Sequence, residues 1–435
     1  MWDNRPSDWE VRRLSDITKR ITRKNDGAGH PVMTISAKRG FMLQSDKYSR
    51  DMAGQSAERY TLLRKGEFAY NKGNSQTAPQ GCIFRLDDDS AVIPFVYYCF
   101  SLSPQIDVGY AAHAFQNGVL NRELARAINS GVRNDGLLNL PADDFFHCQI
   151  AVPPIPEQRA IAEVMDVLEE TIAKTEALVE ALVNTKHATM REMLTRGIRR
   201  EKAPMKPLPA RWVLGRVAED ITHIPTDWDF MTLTKVAKLE SGHTPDRKEP
   251  TYWDGNVPWI SLQDADALTK VTISESAETI GPLGLANSSA RMLPAGTVVL
   301  QRTANVGLAS IMGREMCTSQ HFANWICGNK LDPYYLQQVF RHMSREWGRL
   351  VAGSVLPDIY MGTFKALQIL LPPLEEQKKI GEVGVAFDMR IEEERSTLAV
   401  LNENHAALAQ ELLSGRVRLP DSVIARHRDK AGRAA

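Results

Sequence analysis

The sequence lacks a long hydrophobic run, because no uninterrupted apolar stretch reaches the roughly 18 residues that cross a bilayer. Its first ten residues, MWDNRPSDWE, have neither the basic nor the apolar segment of a secretory signal. The five cysteines are odd in number, scattered, and include no CxxC pair. We therefore expect a reduced, cytoplasmic protein without a zinc site.

Motifs for nucleotide chemistry are also missing. The chain has no GxxxxGK[ST] phosphate loop and no glycine-rich cofactor loop after a predicted strand. The segment LDPYYL, Leu331 to Leu336, is similar to the Asp-Pro-Pro-Tyr box of adenine methyltransferases but lacks the second proline. Asp332 and Pro333 fit better as the N-cap and first residue of a helix. We therefore predict that this chain has no catalytic residues and binds no cofactor.

The chain has no excess of either charge, since 53 Lys and Arg balance 53 Asp and Glu. This balance argues against a generally polycationic nucleic-acid binder. The distribution is uneven: residues 1–72 hold 15 basic and 9 acidic side chains, whereas residues 73–149 hold 4 and 8. Positive charge in the first segment suits a face that meets a phosphate backbone, and a solvated surface without a partner fits it equally well.

An internal repeat is the most informative feature that is present. The phrase IAVPPIPEQ begins at Ile150, and the similar phrase ILLPPLEEQ begins at Ile369. The phrase PSDWEVRRL begins at Pro6, and PTDWDFMTL begins at Pro225, so the offset in numbering is the same for both pairs of phrases. Two separate phrases with one offset, close to half of a chain of 435 residues, indicate a tandem duplication.

A long charged segment follows each PPxxEQ phrase. From Glu157 to Leu194 it contains no Pro or Gly and is dominated by good helix formers. Apolar residues recur at coiled-coil spacing at Ile161, Met165, Leu168, Ile172, Val179, Leu182 and Met193. All of these except Met165, whose counterpart is Gly384, have an apolar counterpart at the repeat offset. We predict two helices that pair along matching seams, the first about 57 Å long at roughly 1.5 Å per residue.

The charges predict that the two helices run antiparallel. Lys186 to Lys202, at the end of the first helix, has 6 basic and 2 acidic residues, and Glu375 to Arg395, at the start of the second, has 4 and 7. Antiparallel pairing sets these segments side by side, although exposed ion pairs contribute only about 0 to 1 kcal/mol each. The alternative is two separate amphipathic helices, and Gly381 and Gly384 count towards it.

The segments outside the helices are expected to be globular, with β-rich runs at Val92 to Phe100 and Thr297 to Leu300. The predicted fold class is α+β, with two globular α/β domains separated by two long helices that form an antiparallel coiled coil, in a pseudo-two-fold duplication. The expected boundaries are 1–150 and 204–369 for the globular domains, 151–203 and 370–420 for the helical segments, and 421–435 for a disordered tail.

Together these features resemble the specificity subunits of type I restriction-modification systems. The resemblance rests on the Trp-containing phrase, the globular segment, PPxxEQ and the long helix, all present twice, and on LLSGRVRL from Leu412. SGHTPDRKEPTYWDGNVPWISLQD from Ser241 and LRKGEFAYNKG from Leu63 are similar to phrases common in the target recognition domains of that family. LTRGIRR from Leu194 departs from the pattern by one extra residue before its Gly.

The resemblance implies a function and partners. Residues 1–150 and 204–369 would be target recognition domains, each recognising one half of a split site in double-stranded DNA, and the helices would set the gap. Two modification subunits would bind the helices, carry S-adenosylmethionine and methylate adenine, and restriction subunits using ATP and magnesium would join to cleave. This chain would be the non-catalytic specificity subunit, active in phage defence. A helix of the predicted length exceeds the ~34 Å between half-sites one helical turn apart.

Arg and Lys can bind phosphates or guanine, and Asn and Gln suit adenine. On these grounds we expect DNA contacts in the first domain from Lys38, Arg39, Tyr48, Asn71, Lys72 and Asn74. In the second domain the candidates are His243, Thr244, Ser261, Gln263, Arg302, Ser319, Gln320 and His321. Each of these side chains fits a structural role about equally well. Trp253 and Trp259 are expected in the core.

Two other classes of function remain open at this point. One is a nuclease or methyltransferase acting alone, which the missing motifs disfavour. The other is a coiled-coil scaffold that binds only protein, which salt-dependent binding to a split DNA site would exclude. Within the favoured class, a modification-only defence complex is the remaining alternative.

Overall fold

The computed structural model describes residues 5–47, 58–73, 77–128, 137–198, 204–219, 221–353 and 356–428. The fold divides into two compact units. Unit 1 comprises Met1–Lys174 and Ala399–Ala435, and unit 2 comprises Thr175–Leu398. Each unit therefore contains one globular domain and parts of both long helices. None of the described helices is long and apolar enough to cross a lipid bilayer.

Unit 1 is built from short antiparallel strands. They are β1 (Glu10–Arg13), β2 (Thr18–Ile21), β3 (Met33–Ser36), β4 (Gly40–Leu43), β5 (Thr61–Arg64), β6 (Phe68–Asn71), β7 (Cys82–Arg85), β8 (Ser90–Ile93), β9 (Tyr98–Leu102) and β10 (Gln149–Val152). The central sheet has the order β2-β9-β6-β7, and β1-β10, β3-β4 and β5-β8 form pairs. The helices are α1 (Leu14–Ile17), α2 (Gln44–Lys47), α3 (Val108–Gln116), α4 (Asn121–Ala127), α5 (Ala142–His147) and the start of α6 (Ile155–Arg196).

Aromatic side chains form the core of unit 1. The rings of Phe68 on β6 and Phe100 on β9 stack with centroids 5.6 Å apart, and Phe115 of α3 packs edge-on to Phe68 at the same distance. Tyr70 of β6 stacks on Phe145 of α5 at 4.7 Å. These contacts hold α3 and α5 against the central sheet, because offset and edge-on ring pairs add to the stabilisation that comes from burial.

Unit 2 has a larger mixed sheet. Its strands are β11 (Met205–Pro207), β12 (His223–Pro225), β13 (Asp229–Thr232), β14 (Ala237–Ser241), β15 (Val257–Ile260), β16 (Thr272–Ile273), β17 (Glu278–Ile280), β18 (Val298–Gln301), β19 (Ala309–Met312), β20 (Cys317–Thr318), β21 (Phe322–Cys327) and β22 (Gln368–Leu371). The sheets have the orders β14-β21-β18-β19-β16 and β17-β15-β20, with the pairs β11-β12 and β13-β22. The helices are α7 (Pro282–Ala286), α8 (Pro333–His342), α9 (Ser344–Val351), α10 (Met361–Lys365) and most of α11 (Leu374–Ser414).

The start of α8 and the burial of two tryptophans in unit 2 were predicted from the sequence. Asp332 is the N-cap of α8, since its carboxylate accepts the backbone N–H of Tyr335 at 2.9 Å, and Pro333 is the first helical residue. The Asp-Pro-Tyr-Tyr segment is therefore a helix start, as predicted. Trp259 is buried as predicted, whereas Trp253 is only half-buried.

The duplication extends to backbone register. In unit 1, β1 pairs with β10 so that Glu10 faces Val152, and in unit 2, β13 pairs with β22 so that Asp229 faces Leu371. Both members of the second pair are displaced from those of the first by the repeat offset. Each Trp-containing phrase is thus paired in the same way with the strand that precedes PPxxEQ.

The two long helices, α6 and α11, run antiparallel. In unit 1, Ile161 and Met165 near the start of α6 share one buried core with Leu412 near the end of α11. In unit 2, Leu194 near the end of α6 shares a core with Ile380 near the start of α11. The start of each helix therefore packs with the end of the other. The predicted antiparallel coiled coil and α+β fold class are confirmed.

The two glycines that were expected to weaken the second helix instead permit close packing. Helix α11 is continuous through both of them. A Cβ added at Gly381 would lie 3.0 Å from Tyr334 Cβ, and one added at Gly384 would lie 2.5 Å from the Gln338 side chain. An apolar side chain is therefore missing from the seam at Gly384 because α8 crosses α11 at that point.

The tail expected to be disordered forms structure in its described part, residues 421–428. Helix α12 (Asp421–Ala425) buries Ile424, and His427 Nε2 lies 2.7 Å from Glu163 Oε2 of α6. The prediction of disorder was wrong for this part. Its composition is polar, but the burial of Ile424 and the contact of His427 with Glu163 fix it to unit 1.

Candidate nucleic-acid interface

The PPxxEQ phrase positions the globular domain in each unit. In unit 1 the buried carboxylate of Glu157 accepts the indole N–H of Trp9 at 3.1 Å. In unit 2 Glu376 accepts the indole N–H of Trp228 at 3.0 Å. These four residues occupy equivalent positions of the repeat. The Trp-containing phrase and PPxxEQ therefore recur together because they form one hydrogen-bonded joint.

The glutamine of the phrase fixes a second element. Gln158 accepts the backbone N–H of Asp107 at 2.7 Å, and Gln377 accepts that of Asp332 at 2.9 Å. Asp107 and Asp332 are the N-caps of α3 and α8. Each long helix thus holds the first turn of a domain helix, and the strands and loops of the domain are built outward from it.

In unit 1 the exposed candidates lie at the tip of one hairpin. Lys38 and Arg39 occupy the turn between β3 and β4, and both are exposed. Asn71 donates from Nδ2 to the carbonyl of Ile35 at 3.1 Å, so it braces this hairpin. Lys72 donates to the hydroxyl of Tyr98 at 3.3 Å and also lies over its ring. Tyr48 and Asn74 lie outside the described residues.

In unit 2 four of the predicted residues come together, and we call them the Gln320 cluster: Thr244, Arg302, Gln320 and His321. The hydroxyl of Thr244 donates to Gln320 Oε1, and the backbone carbonyl of Gln320 accepts Arg302 Nε at 3.0 Å. Gln320 is exposed. The cluster presents an amide with both donor and acceptor capacity, the chemistry that pairs with the edge of adenine.

Arg302 is an anchor within that cluster. Its Nη1 donates to Asp358 Oδ1 at 2.7 Å and to the carbonyl of Ile359 at 2.9 Å, and its side chain is 15% exposed. Burial, together with the charge of Arg302, lowers the pKa of His321. His321 is therefore neutral at pH 7 and can both donate and accept a hydrogen bond.

The other candidates in unit 2 differ in exposure. Ser261 is buried and caps a short 3-10 helix, with its hydroxyl accepting the backbone N–H of Gln263 at 3.2 Å. Ser319 is also buried, and no partner of its hydroxyl is found within the described part of the chain. His243 is bound through its backbone to Thr318 and Trp259. Gln263 is exposed, so its side chain can reach a ligand.

Arg247 is a residue that the sequence did not single out. Its guanidinium lies 3.8 Å from the ring centroid of Trp253 and pairs with Glu278, with Nη2 to Oε2 at 2.9 Å. The hydrogen bonds that Arg247 donates to the Glu278 carboxylate raise the pKa of Arg247. The signal was available, because Arg247 stands shortly before a tryptophan within SGHTPDRKEPTYW.

A group of ionisable side chains in unit 1 has metal-ligand residue types. His113 Nε2 lies 2.7 Å from Asp166 Oδ1, and its Nδ1 lies 3.2 Å from Glu169 Oε1. One ion cannot bond both nitrogens of one ring, so the arrangement suits an imidazolium between two carboxylates. Burial alone would lower the pKa of His113, but hydrogen bonds to Glu169 and Asp166 raise it above its ordinary value.

The cysteines offer no reactive thiol at neutral pH. Burial raises the pKa of Cys99 and Cys327 to about 12 and that of Cys82 and Cys317 to about 11. Thiols with such pKa values remain protonated at pH 7 and are poor nucleophiles.

Comparison with known proteins agrees with this geometry. The family model described as "Type I restriction modification DNA specificity domain" matches residues 225–403, starting at the second Trp-containing phrase. The chain is 31% identical over 195 residues to the type I restriction enzyme MjaIX specificity subunit of Methanocaldococcus jannaschii, covering 44% of this chain and 45% of that protein. It is 21% identical to the MjaVIII specificity subunit of the same organism, covering 95% and 94%.

Residues 225–403 are therefore similar to the DNA specificity domain of type I restriction-modification systems, and over nearly its whole length the chain is similar to their specificity subunits. The fold agrees: the crystal structure of a type I restriction-modification S subunit from M. genitalium superposes with a TM-score of 0.56 at 12% identity, covering 94% of this chain and 96% of that one. The resemblance to these specificity subunits that was predicted from the sequence is confirmed, and the individual DNA-contacting residues stay predictions.

Proposed function

We propose that each globular domain of this specificity subunit recognises one half of a split site in double-stranded DNA. The duplicated joint of Trp with PPxxEQ supports this, because it attaches both domains to the long helices in the same way. Two domains attached alike suit two half-sites on one duplex. The paired helices would keep the number of bases between the half-sites constant.

Within unit 2, we assign base contacts to the Gln320 cluster. Gln320 is exposed on a backbone that Arg302 holds in place, so its amide is preorganised for a bidentate contact with adenine. Gln263 and Arg247 both donate to Oε2 of Glu278 and would contact the same duplex. In unit 1, Lys38 and Arg39 at the hairpin tip would contact phosphates or guanine.

The long helices would bind two modification subunits. Val167, Val183, Met389 and Val400 are apolar and more than a third exposed on α6 and α11. Apolar side chains that are exposed on the long helices could be covered by another protein, as they are where such side chains form a contiguous patch. The modification subunits would carry S-adenosylmethionine, and restriction subunits would supply ATP-driven cleavage. This chain would act in the cytoplasm without catalysis or a cofactor of its own.

A selection experiment tests this function. The chain is co-purified with its modification subunit and used to select from a library of randomised duplexes, with salt varied between about 50 and 200 mM. We expect two enriched base blocks at one fixed spacing and binding that weakens with salt. A single continuous block, or no enrichment, would contradict the proposal. Methyl transfer by the chain alone would contradict its non-catalytic role, and ATP-dependent cleavage separates a restriction complex from a modification-only one.

A further inference from the structure

A basic pocket lies in unit 2, away from the Gln320 cluster. Its volume is about 240 Å³, and it is bordered by the last part of α6, by the corner between α8 and α9, and by residues 216–219. Its basic lining residues are His187, Arg191, Arg216, His342, Arg345 and Arg349. Among the described lining residues only Glu219 and Glu346 are acidic. The pocket is therefore concave and dominated by positive charge.

Glu346 balances part of this charge. Its carboxylate accepts Arg349 Nε at 2.9 Å, Arg216 Nε at 3.4 Å and the backbone N–H of Gly215 at 3.0 Å. These bonds fix both guanidinium groups in the wall of the pocket. Because the carboxylate is buried and already bonded on both oxygens, it has little capacity left for other cations.

Arg191 and Arg345 complete the pocket from two different helices. Both are exposed, and neither forms an ion pair with any carboxylate in the described part of the chain. They lie near a pair of stacked histidine rings, His187 and His342, whose centroids are 4.7 Å apart. The charges of Arg191 and Arg345 are therefore not balanced by a bonded carboxylate within the described residues, and a bound anion would balance them.

The electrostatic field at the pocket agrees. Burial, and after it the positive charges of His187, Lys186 and Arg191, lowers the pKa of His342 to about 4. The repulsion by these neighbouring charges adds to the effect of burial and agrees with the basic lining of the pocket. An anion bound beside His342 would offset the repulsion and raise this pKa.

We propose that this pocket is a binding site for a phosphate group, held by Arg191 and Arg345 together with the fixed guanidinium groups of Arg216 and Arg349. Guanidinium groups match phosphate oxygens in bidentate pairs, which favours phosphate over a monovalent halide. The phosphate could come from the backbone of DNA, in which case the proposal rests on the proposed function, or from a free phosphate-containing solute.

The first test uses inorganic phosphate and needs no DNA. The full chain is labelled with ¹³C-histidine, and the ring signals of His187 and His342 are followed during titration at constant ionic strength, with chloride as the reference. We expect saturable shifts and a rise in the pKa of His342. In the double variant Arg191→Ala/Arg345→Ala the dissociation constant should increase at least about tenfold. Equal shifts with chloride, or unchanged binding by the variant, would overturn the proposal.

A matched control distinguishes the loss of positive charge in the pocket from the loss of positive charge elsewhere on the same helix. Arg196→Ala removes an exposed arginine of the same helix that pairs with Glu192 and does not line the pocket. It should bind phosphate as the unmodified chain does. Thermal melting checks that all variants fold. We expect unchanged melting temperatures, because the side chains of Arg191 and Arg345 are exposed and contribute nothing to the core.

The second test identifies the source of the phosphate. DNA binding by the chain with its modification subunit is measured as a function of salt. If the pocket holds a backbone phosphate, the double variant should lower the slope of log K against log salt by about 1 relative to Arg196→Ala. An unchanged slope with lost phosphate binding would assign the pocket to a free solute. If the complex binds no DNA at all, the proposed function fails while the phosphate titration still decides the pocket.

Discussion

Lys186 of α6 and Asp388 of α11 form an ion pair in unit 2, with Nζ to Oδ1 at 2.5 Å. The residues at the equivalent positions of the repeat, His405 and Glu169, form the corresponding pair in unit 1 at 3.2 Å. In each unit a residue of a domain helix joins the carboxylate: Gln338 of α8 donates to Asp388 at 2.7 Å, and His113 of α3 lies 3.2 Å from Glu169. We call each of these arrangements, a carboxylate of one long helix bonded to the other long helix and to a domain helix, a brace. The same brace is therefore built twice from different side chains.

The brace in unit 2 should be sensitive to loss of its carboxylate. Asp388→Asn leaves Lys186 and Arg341 facing each other, and both lysine and aspartate side chains are only about one-sixth exposed. Removing one partner of such a largely buried group should cost about 3 kcal/mol of unfolding free energy. Urea denaturation measures this loss of unfolding free energy. The control variant Glu170→Gln, which removes an exposed pair with Lys174 on α6, should unfold at the same urea concentration as the unmodified chain. Equal destabilisation by the two substitutions would contradict the prediction.

The brace in unit 1 should depend on pH. The pKa of His113 is raised, so its contribution to stability is complete below its unfolded value and is lost as pH rises through the folded one. The pKa of Glu169 is lowered by His113, so its contribution is present above its ordinary value and is lost as pH falls. The stability contributions of His113 and Glu169 are therefore both complete in mildly acidic solution, above the ordinary pKa of glutamate and below that of histidine. Besides His113 and Glu169, the facing ionisable groups are Asp166 and His405.

His113→Gln, which copies the residue of unit 2, tests this dependence. Between pH 6 and 9, roughly the range in which a raised histidine pKa titrates, the denaturation midpoint of the unmodified chain should fall more steeply than that of the variant. Parallel curves for the two proteins would rule out His113 as the titrating group.

Gly197 should tolerate no side chain. It has a φ of 77°, and an added Cβ would lie 2.4 Å from Glu376 Oε1. Gly197→Ala should therefore destabilise unit 2 by more than the about 1 to 2 kcal/mol that a left-handed conformation alone costs. Gly296 provides the control, because its φ is 83° and nothing lies within 4 Å of an added Cβ. If the two alanine variants have the same melting temperature, the hydrogen bond between Trp228 and Glu376 does not depend on the close approach of Gly197 to Glu376.

Gln320 and Lys38 should affect DNA binding differently. Gln320→Ala should cost about 1 to 3 kcal/mol at one base position and relax specificity there, without lowering the melting temperature. Lys38→Ala should weaken binding to all sequences and lower the salt slope by about 1 if it contacts a phosphate. Arg302→Ala should both relax specificity and destabilise the fold, because Arg302 anchors Asp358 and the Gln320 backbone. Binding to single-base variants of the site measures all three.

The sequence predicted the features that depend on periodicity. The two helices, their antiparallel sense and the N-cap at Asp332 follow from apolar spacing, charge and capping chemistry. The close approach of Gln338 to Gly384 could not be predicted, because it depends on where α8 crosses α11. The structure of residues 421–428 was missed for a similar reason, since burial of Ile424 and the contact of His427 with Glu163 depend on where this segment meets α6.

The candidate site was harder to predict because residue type does not determine exposure. Ser261 and Gln263 are two positions apart, yet one is a buried helix cap and the other is exposed. Arg302 has the chemistry of a base-contacting residue but is committed to backbone and carboxylate partners within its own domain.

Mapping of methylated adenines most directly tests whether each unit recognises one half-site. The chain and its modification subunit are expressed in a host without other methyltransferases, and the genome is sequenced for modified bases with the unmodified chain and with Gln320→Ala. We predict a motif of two specific blocks separated by a constant number of unspecified bases, and Gln320→Ala should relax one block only. A continuous motif, or a substitution in unit 2 that alters both blocks, would contradict the account.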